Sequence, residues 1–428
     1  VARSALELGE LIAGITSDAR NEWSRLSLLQ KKIDGKLNRT WMPPDADAEY
    51  RDLFRKASSP WLLFVRDCIA QGCILDGYTS ERVWEEAWQA NGMDGRQGEV
   101  TREAIGLGKS YGLSLPAAGD GVVMRPLSAL VTYAVFQDPW DEYPQFVISR
   151  VGKQSASFWD SDWMVIDEDA MYRWKGDARS PQSVRIVEHN LGYTPVVEIS
   201  NTLAMNGKPR SSVEPAIVVY QRIVDATFTL QMLQRYGAFP KMWMAGGEVA
   251  KDASGNAMIR ASVDSLLHAS GESGESARFG TFAAADLNQA VAALDAHIKH
   301  LSALCQVPPH YLLGAVVNMS AEGIAAAESG YFRNIDDRKM SLGEGYELWL
   351  RTAAAILGDE DAANDTSSQA HWADVSSRSL AQISDSVVKL ATVGAPLEML
   401  FALVPGWTKT DALEAAAYVR AQPKAIEQ

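Results

Sequence analysis

The stretch from Gln306 to Glu328 constrains this chain more than any other, because a long amphipathic pattern ends on one side of it and another begins on the other. Upstream, Leu287, Val291, Leu294, Ile298, Leu301 and Leu304 recur every three or four residues and predict a helix that Asp286 would cap. Pro308 and Pro309 stop it. Downstream, Ser320 suits an N-cap and Glu322 a first helical turn. A third helix is predicted over about 321–357 on a stripe of Ile324, Tyr331, Ile335, Leu342, Tyr346, Trp349 and Ile356, with a kink at Gly343 and Gly345. The apolar stretch of Leu312, Leu313, Ala315, Val316 and Val317 lies between. Two helices joined by a stiff-ended apolar loop suggest a loop held in place for a mechanical or gating task.

A partner for the upstream helix lies earlier in the chain. Ser211 and Glu214 match a capping box and Pro215 fits the first turn. The apolar face is Val213, Ile217, Tyr220, Val224, Phe228 and Met232, and the helix is predicted to end near Gly237 and Pro240. Residues 241–282 form a compact insert between the two helices. Lys241–Ala245 and Ala277–Phe282 read as short strands, separated by Gly- and Ser-rich sequence.

The rest divides by hydrophobic period. Residues 1 to about 115 read as helical, with one pattern at Leu6, Ile12 and Ile15, another at Trp23, Leu26 and Leu29, a break at Pro43-Pro44, and helices after Pro60 and around Val83–Trp88. From about 110 to 202 the period shortens. Val122–Met124, Leu130–Val135, Gln145–Arg150, Trp163–Ile166 and Met171–Trp174 predict a meandering antiparallel sheet, and His189–Val197 a turn into a further strand. Asn206–Arg210 is a turn and a good boundary. Gly358–Gln369 reads as an acidic linker, and helices follow around Ser379–Val393, Pro396–Leu403 and Thr410–Arg420.

Catalytic chemistry finds little footing. Glu103–Ser110 ends like a phosphate-binding loop, but Glu103 stands where the first Gly is required and no strand clearly precedes it. His189, His268, His297, His300, His310 and His371 are scattered. His297 and His300 share a helix, yet Asp295 lies on another face, so neither metal nor cofactor is expected. No G-x-S-x-G or HExxH motif occurs, and no catalytic residue is nominated. Cys68, Cys73 and Cys305 read as buried free thiols. No segment is long and apolar enough to span a membrane, and Glu7 and Glu10 argue against a secretory leader. A net charge of −14 argues against a tight nucleic-acid grip, though not against a protein that surrounds DNA loosely. The 13 tryptophans suit large subunit contacts, where aromatic side chains anchor.

Several segments, in order, resemble the portal proteins of tailed bacteriophages of the siphophage type. These are Tyr172–Asp177 with His189–Val197, Ala277–Leu287, Val307–Gly314 with Ser320–Glu322 and Ala327-Glu328, and Trp372–Asp374 with Arg378-Ser379, Ala381-Gln382 and Asp385. Lys389-Leu390, Gly394 and Pro405-Gly406 continue the series. The resemblance covers most of the chain from about residue 50, and the first fifty residues match loosely.

The resemblance implies an α+β portal-protein fold with long stem helices, a β-rich wing, a small α/β clip and a helical C-terminal crown. It divides the chain into a wing (1–210), a first stem helix (211–236), a clip (237–283), a second stem helix (284–305), a channel loop (306–319), a long kinked wing helix and linker (320–369) and a crown (370–428). His310, Tyr311, Leu312, Leu313, Val316, Val317 and Asn318 would belong to the channel loop. Lys241, Lys251, Arg260, Arg278 and Lys299 are candidates to face DNA phosphates. The implied partners are a homo-oligomeric ring of about twelve subunits, double-stranded DNA held without sequence specificity, the terminase large subunit, a head–tail adaptor, the major capsid protein and scaffold, with no membrane. The expected place is the portal vertex of the virion, and the host cytoplasm during assembly. A packaging-associated ATPase or hydrolase is the alternative, disfavoured by the broken phosphate loop. A capsid-associated interaction protein without a channel is a third reading.

Overall fold

The computed structural model describes residues 2–36, 48–151, 160–178, 180–237, 242–245, 278–281, 287–314, 321–373, 380–401, 404 and 409–421. The two apolar patterns near the N-terminus belong to one helix, α1 (Ala5–Ile33). Ser4 and Glu7 close a reciprocal capping box at its start: the Glu7 amide donates to Ser4 Oγ at 3.3 Å and the Ser4 amide to Glu7 Oε2 at 2.6 Å. Of the first pattern Ile12 is buried and Ile15 half-buried, whereas Leu6 is exposed and Leu8 takes the buried place.

Helices α2 (Ala48–Ala57) and α3 (Trp61–Gln71) follow, then strand β1 (Leu75–Tyr78) and α4 (Glu81–Val83), which continues as a π-helical turn over Trp84–Trp88. Helix α5 (Gln97–Leu107) ends at Gly108, whose φ of +98° forms a left-handed C-cap. Strand β2 (Lys109–Pro116) begins immediately. The phosphate-loop-like segment is therefore a helix-to-strand junction, the reverse of the strand–loop–helix order that cradles phosphates.

The strands after β2 are β3 (Val122–Leu127), β4 (Thr132–Val135), β5 (Phe146–Arg150), β6 (Asp160–Ile166), β7 (Ala170–Asp177), β8 (Arg185–Glu188) and β9 (Val196–Ser200). They form two sheets rather than the single meander expected. Strands β4 to β8 pair in chain order, all antiparallel, whereas β2 sits between β3 and β9. In the three-stranded sheet Tyr111 pairs with Leu127 on one side and Glu198 on the other. Strand β2 is buried from Ser110 to Ser114.

Helix α6 (Ile217–Gly237) follows a short 3-10 turn at Glu214–Ala216. Ser211 Oγ accepts from the Val213 and Glu214 amides, both at 3.1 Å, and donates to the Gly106 carbonyl at 2.6 Å. Strands β10 (Met242–Ala245) and β11 (Arg278–Thr281) fall where the sequence predicts two short strands, and they pair antiparallel in full register. Helix α7 (Leu287–Cys305) packs against α6, followed by α8 (Pro309–Leu313) and α9 (Ala321–Ile356). Helix α9 is uninterrupted at Gly343 and Gly345. Gly345 serves a close approach: a Cβ there would stand 2.9 Å from Ile199 Cα of β9.

Residues 358–369 are not a bare linker. Asp359 caps α10 (Glu360–Asn364), its carboxylate accepting from the Ala362 amide at 3.1 Å. Strand β12 (Ala370–Trp372) then pairs with β1, so the chain returns to its N-terminal part. Helices α11 (Leu380–Thr392), α12 (Leu397–Phe401) and α13 (Lys409–Ala421) end the described chain close to the predicted places.

Among the described residues, buried apolar side chains form two clusters. The larger joins α3, α5, the β2 sheet, α6, α7 and α9, with Trp88, Tyr111, Tyr346 and Trp349 among its members. The smaller joins α1, from Leu8 to Trp23, to the five-stranded sheet through Leu8, Ile12, Trp23, Trp163 and Tyr172. Trp23 Nε1 donates to the Thr132 carbonyl at 3.1 Å across that junction. Cys68, Cys73 and Cys305 are all buried free thiols.

Candidate functional site

The segment after α7 is built in two parts, and the described part is a fixed seat. Gln306 adopts a left-handed φ of +55° and turns the chain out of α7. Ser302 Oγ donates to the Val307 carbonyl at 2.6 Å and the Val307 amide to the Ser302 carbonyl at 3.1 Å, which ties the turn to the helix it leaves. Pro308 ends one run and Pro309 starts α8, where its fixed φ suits a first helical position. Gly314, at φ +65°, ends α8 as its left-handed C-cap. Residues 306–314 are thus ordered by two prolines, two left-handed residues and a side-chain tie.

Side chains lock α8 onto α9. Tyr311 Oη donates to Glu328 Oε1 at 2.9 Å, and His310 Nε2 lies 3.3 Å from the same oxygen. Glu328 is buried. Burial, with Glu328 close by, pushes the Tyr311 phenol up to about 12, so it remains a donor at neutral pH. The Tyr311 ring meets Tyr331 edge-on at 5.7 Å, and Tyr331 Oη donates to the Cys68 carbonyl of α3 at 2.6 Å. Val307 and Leu312 are buried in the larger core cluster, and Leu313 packs against it.

The predicted loop residues therefore separate. His310, Tyr311, Leu312 and Leu313 lie in α8, and burial makes Leu312 part of the core rather than a tip of an apolar loop. Val316, Val317 and Asn318 fall outside the described residues. So do Lys241, Lys251 and Arg260 among the basic candidates, and the proposed caps Asp286 and Ser320. Arg278 opens β11, and Lys299 is exposed on α7. The seat brings together Glu328, Tyr331 and Cys68, which the sequence reading did not nominate. One signal marked Glu328: it sits three residues before Tyr331 and seven before Ile335, an acid on an apolar stripe.

The α6–α7 pair that carries the seat leaves apolar side chains in the open. Val218 is exposed on α6, and Leu287, Val291 and Leu304 on α7. Only Ile298 and Leu301 of the predicted α7 stripe are buried. Among the described residues no group of three or more His, Cys, Asp or Glu could hold a metal ion, and no helix is long and apolar enough to cross a membrane.

The family model for phage portal proteins of the SPP1 Gp6-like type matches residues 74–427, from β1 to the end of the chain. The chain belongs to this portal family. It is 28% identical over 215 residues to the portal protein of Mycobacterium phage L5, covering 48% of this chain and 43% of that protein. It is 27% identical over 213 residues to the portal protein of Mycobacterium phage D29, covering 47% and 43%. The chain thus aligns with under half the length of these two relatives. Among solved structures, a chain from the neck of a native GTA particle, computed with C12 symmetry, aligns over 87% of this chain and 97% of its own length. It has a TM-score of 0.50 at 13% identity, a likeness of fold. In this portal-family chain α6 and α7 are the paired long helices of an α+β portal fold, and the α8 seat lies directly after them.

Proposed function

We propose that this chain is the subunit of a portal ring at one capsid vertex, a non-enzymatic conduit through which DNA is packaged and ejected. The family match across 74–427 carries this reading. The ring count of about twelve is taken over from the C12 symmetry of the structural neighbour. In this reading residues 1–210 form the wing, α6 and α7 the stem, 237–283 the clip, 306–319 the channel loop, and 370–428 the crown. Terminase would dock on the clip and be replaced by a head–tail adaptor, with the capsid protein and scaffold around the wing.

Physical features support the reading. A helix hairpin tipped by a two-stranded ribbon is a poor monomer, since a lone two-stranded sheet is marginal in water. Side by side in a ring, such hairpins would cover the exposed Val218, Leu287, Val291 and Leu304. A net charge of −14 suits a channel that must not grip phosphates, because every neutralised phosphate adds affinity and drag.

Negative-stain imaging of purified protein tests the ring. Particles of about a dozen subunits around a central hole are expected. Monodisperse monomers at high concentration would sink the proposal. Deleting residues 315–317 tests the loop: rings should persist while DNA packaging or retention falls. Unchanged packaging would remove the loop's role.

A further inference from the structure

We propose that Glu328 is the positioning residue of the 306–314 seat, the carboxylate that holds α8 against α9 and so fixes where the chain departs at Gly314. This deepens the channel-loop reading and rests on it. Three observations converge. First, Tyr311 and His310, adjacent on α8, both reach Glu328 Oε1, at 2.9 and 3.3 Å. Second, a five-residue helix cannot hold itself, since so short a helix is unstable in water without outside contacts. Third, Glu328 is an acid on the buried stripe of α9, where an uncompensated carboxylate would cost heavily and an apolar residue would pack as well. Packing alone does not call for an acid there, whereas a designated hydrogen-bond acceptor does.

The tie reaches beyond α8. The Tyr311 ring, oriented by its bond to Glu328, meets Tyr331 edge-on, and Tyr331 is bonded in turn to the Cys68 carbonyl near the end of α3. The seat is therefore tied to α9 directly and to α3 through Tyr331, and Glu328 orients the Tyr311 ring that makes the connection.

Native-state proteolysis with chymotrypsin tests this on the assembled full-length protein, because cutting within 311–313 requires α8 to open locally. Glu328→Ala and Tyr311→Phe should each raise cutting there by about tenfold or more, the scale of a lost hydrogen bond to a charged group. Cutting at distant sites should stay unchanged. Glu328→Gln keeps an acceptor for the Tyr311 hydroxyl and should fall between wild type and Glu328→Ala. The double variant should be no faster than the faster single, because both remove one shared bond. Unchanged cutting at 311–313, a uniform rise at all sites, or fully additive singles would each overturn the proposal. Imaging the same samples keeps the two readings apart. Wild type without rings defeats the portal reading, whereas normal rings with unaltered cutting in the variants defeat only the role of Glu328.

Discussion

Gly112 of β2 leaves the space that the Trp349 indole of α9 fills: any Cβ at position 112 would collide with the indole ring. Trp349 is fully buried and meets Trp88 edge-on at 6.1 Å, so it has no open side to retreat into. The contact joins the longest helix to the middle strand of the three-stranded sheet.

Gly112→Ala should therefore destabilise by about 1–3 kcal/mol, the usual cost of adding a carbon to a packed core. Gly14, whose Cβ would meet nothing, is the control. It lies within α1, where alanine is the better helix former, so Gly14→Ala should be neutral or stabilising by up to about 1 kcal/mol. Urea midpoints of the two variants measure the contrast. Equal effects would show that the Trp349 contact yields without cost.

Lys109 should be the costliest single charge to remove. Its side chain is only 12% exposed and its ammonium lies 3.5 Å from Glu22 and 3.8 Å from Glu198. Burial opposes its charge, but the two carboxylates and the neighbouring Tyr111 outweigh burial and raise its pKa. Lys109→Met would leave Glu22 with Arg25 at 3.0 Å and Glu198 without an ion pair among the described residues. Breaking a buried pair from one side costs about 3–5 kcal/mol. Lys109→Met/Glu198→Gln should recover part of that, and the urea midpoints of both variants check it.

How far sequence reaches depends on whether a feature marks its own neighbourhood. The α6–α7 hairpin and α9 were legible because apolar residues recur every three or four positions along them, even where, as at Leu287, Val291 and Leu304, the stripe stays exposed. The β10–β11 pair was legible from two short runs around a Gly-rich insert. Strand partners were not. The patterns of β3 and β4 read alike, yet one pairs with β2 and the other with β5, a choice settled by contacts far along the chain. Gly345 looked like a kink because sequence shows a missing side chain and hides the strand that requires its absence. The segment around Pro308 was recognised as constrained, but Tyr311 and Glu328 are 17 residues apart, on different helices, with Gly314 and Gly323 between them. No periodicity spans such a gap.

Glu103 should give the protein a pH-dependent stability near neutrality. Its carboxylate accepts from Ser128 Oγ at 2.9 Å and from the Ala129 amide. Burial is the dominant influence and pushes its pKa up to about 7, against the lowering effect of those hydrogen bonds. Between the ordinary carboxylate value, about 4.3, and about 7, the native state holds a proton that the unfolded chain has released. Stability from this group is therefore fully present below about pH 4 and is lost as pH rises through 7, by about 1–3 kcal/mol in total. Glu103→Gln keeps an oxygen acceptor and cannot ionise. The difference in unfolding midpoint, variant minus wild type, should rise between pH 5 and pH 8. A difference that is flat across that range would mean Glu103 ionises normally in the fold.

The exposed apolar residues of the helix hairpin separate folding from assembly. Val218 on α6 is 57% exposed and Val291 on α7 is 43% exposed, so neither contributes much to the isolated chain's core. Val218→Lys and Val291→Lys should each change the chain's own stability by no more than about 0.5 kcal/mol, as surface substitutions generally do. In a ring every subunit would present the same charge to its neighbour's apolar face, and the penalty would recur at each interface around the circle. Ring yield, read by size-exclusion chromatography and negative stain, should collapse while the thermal midpoint of the monomer fraction holds. Rings formed normally by both variants would place the subunit contact elsewhere than on these two positions of the hairpin.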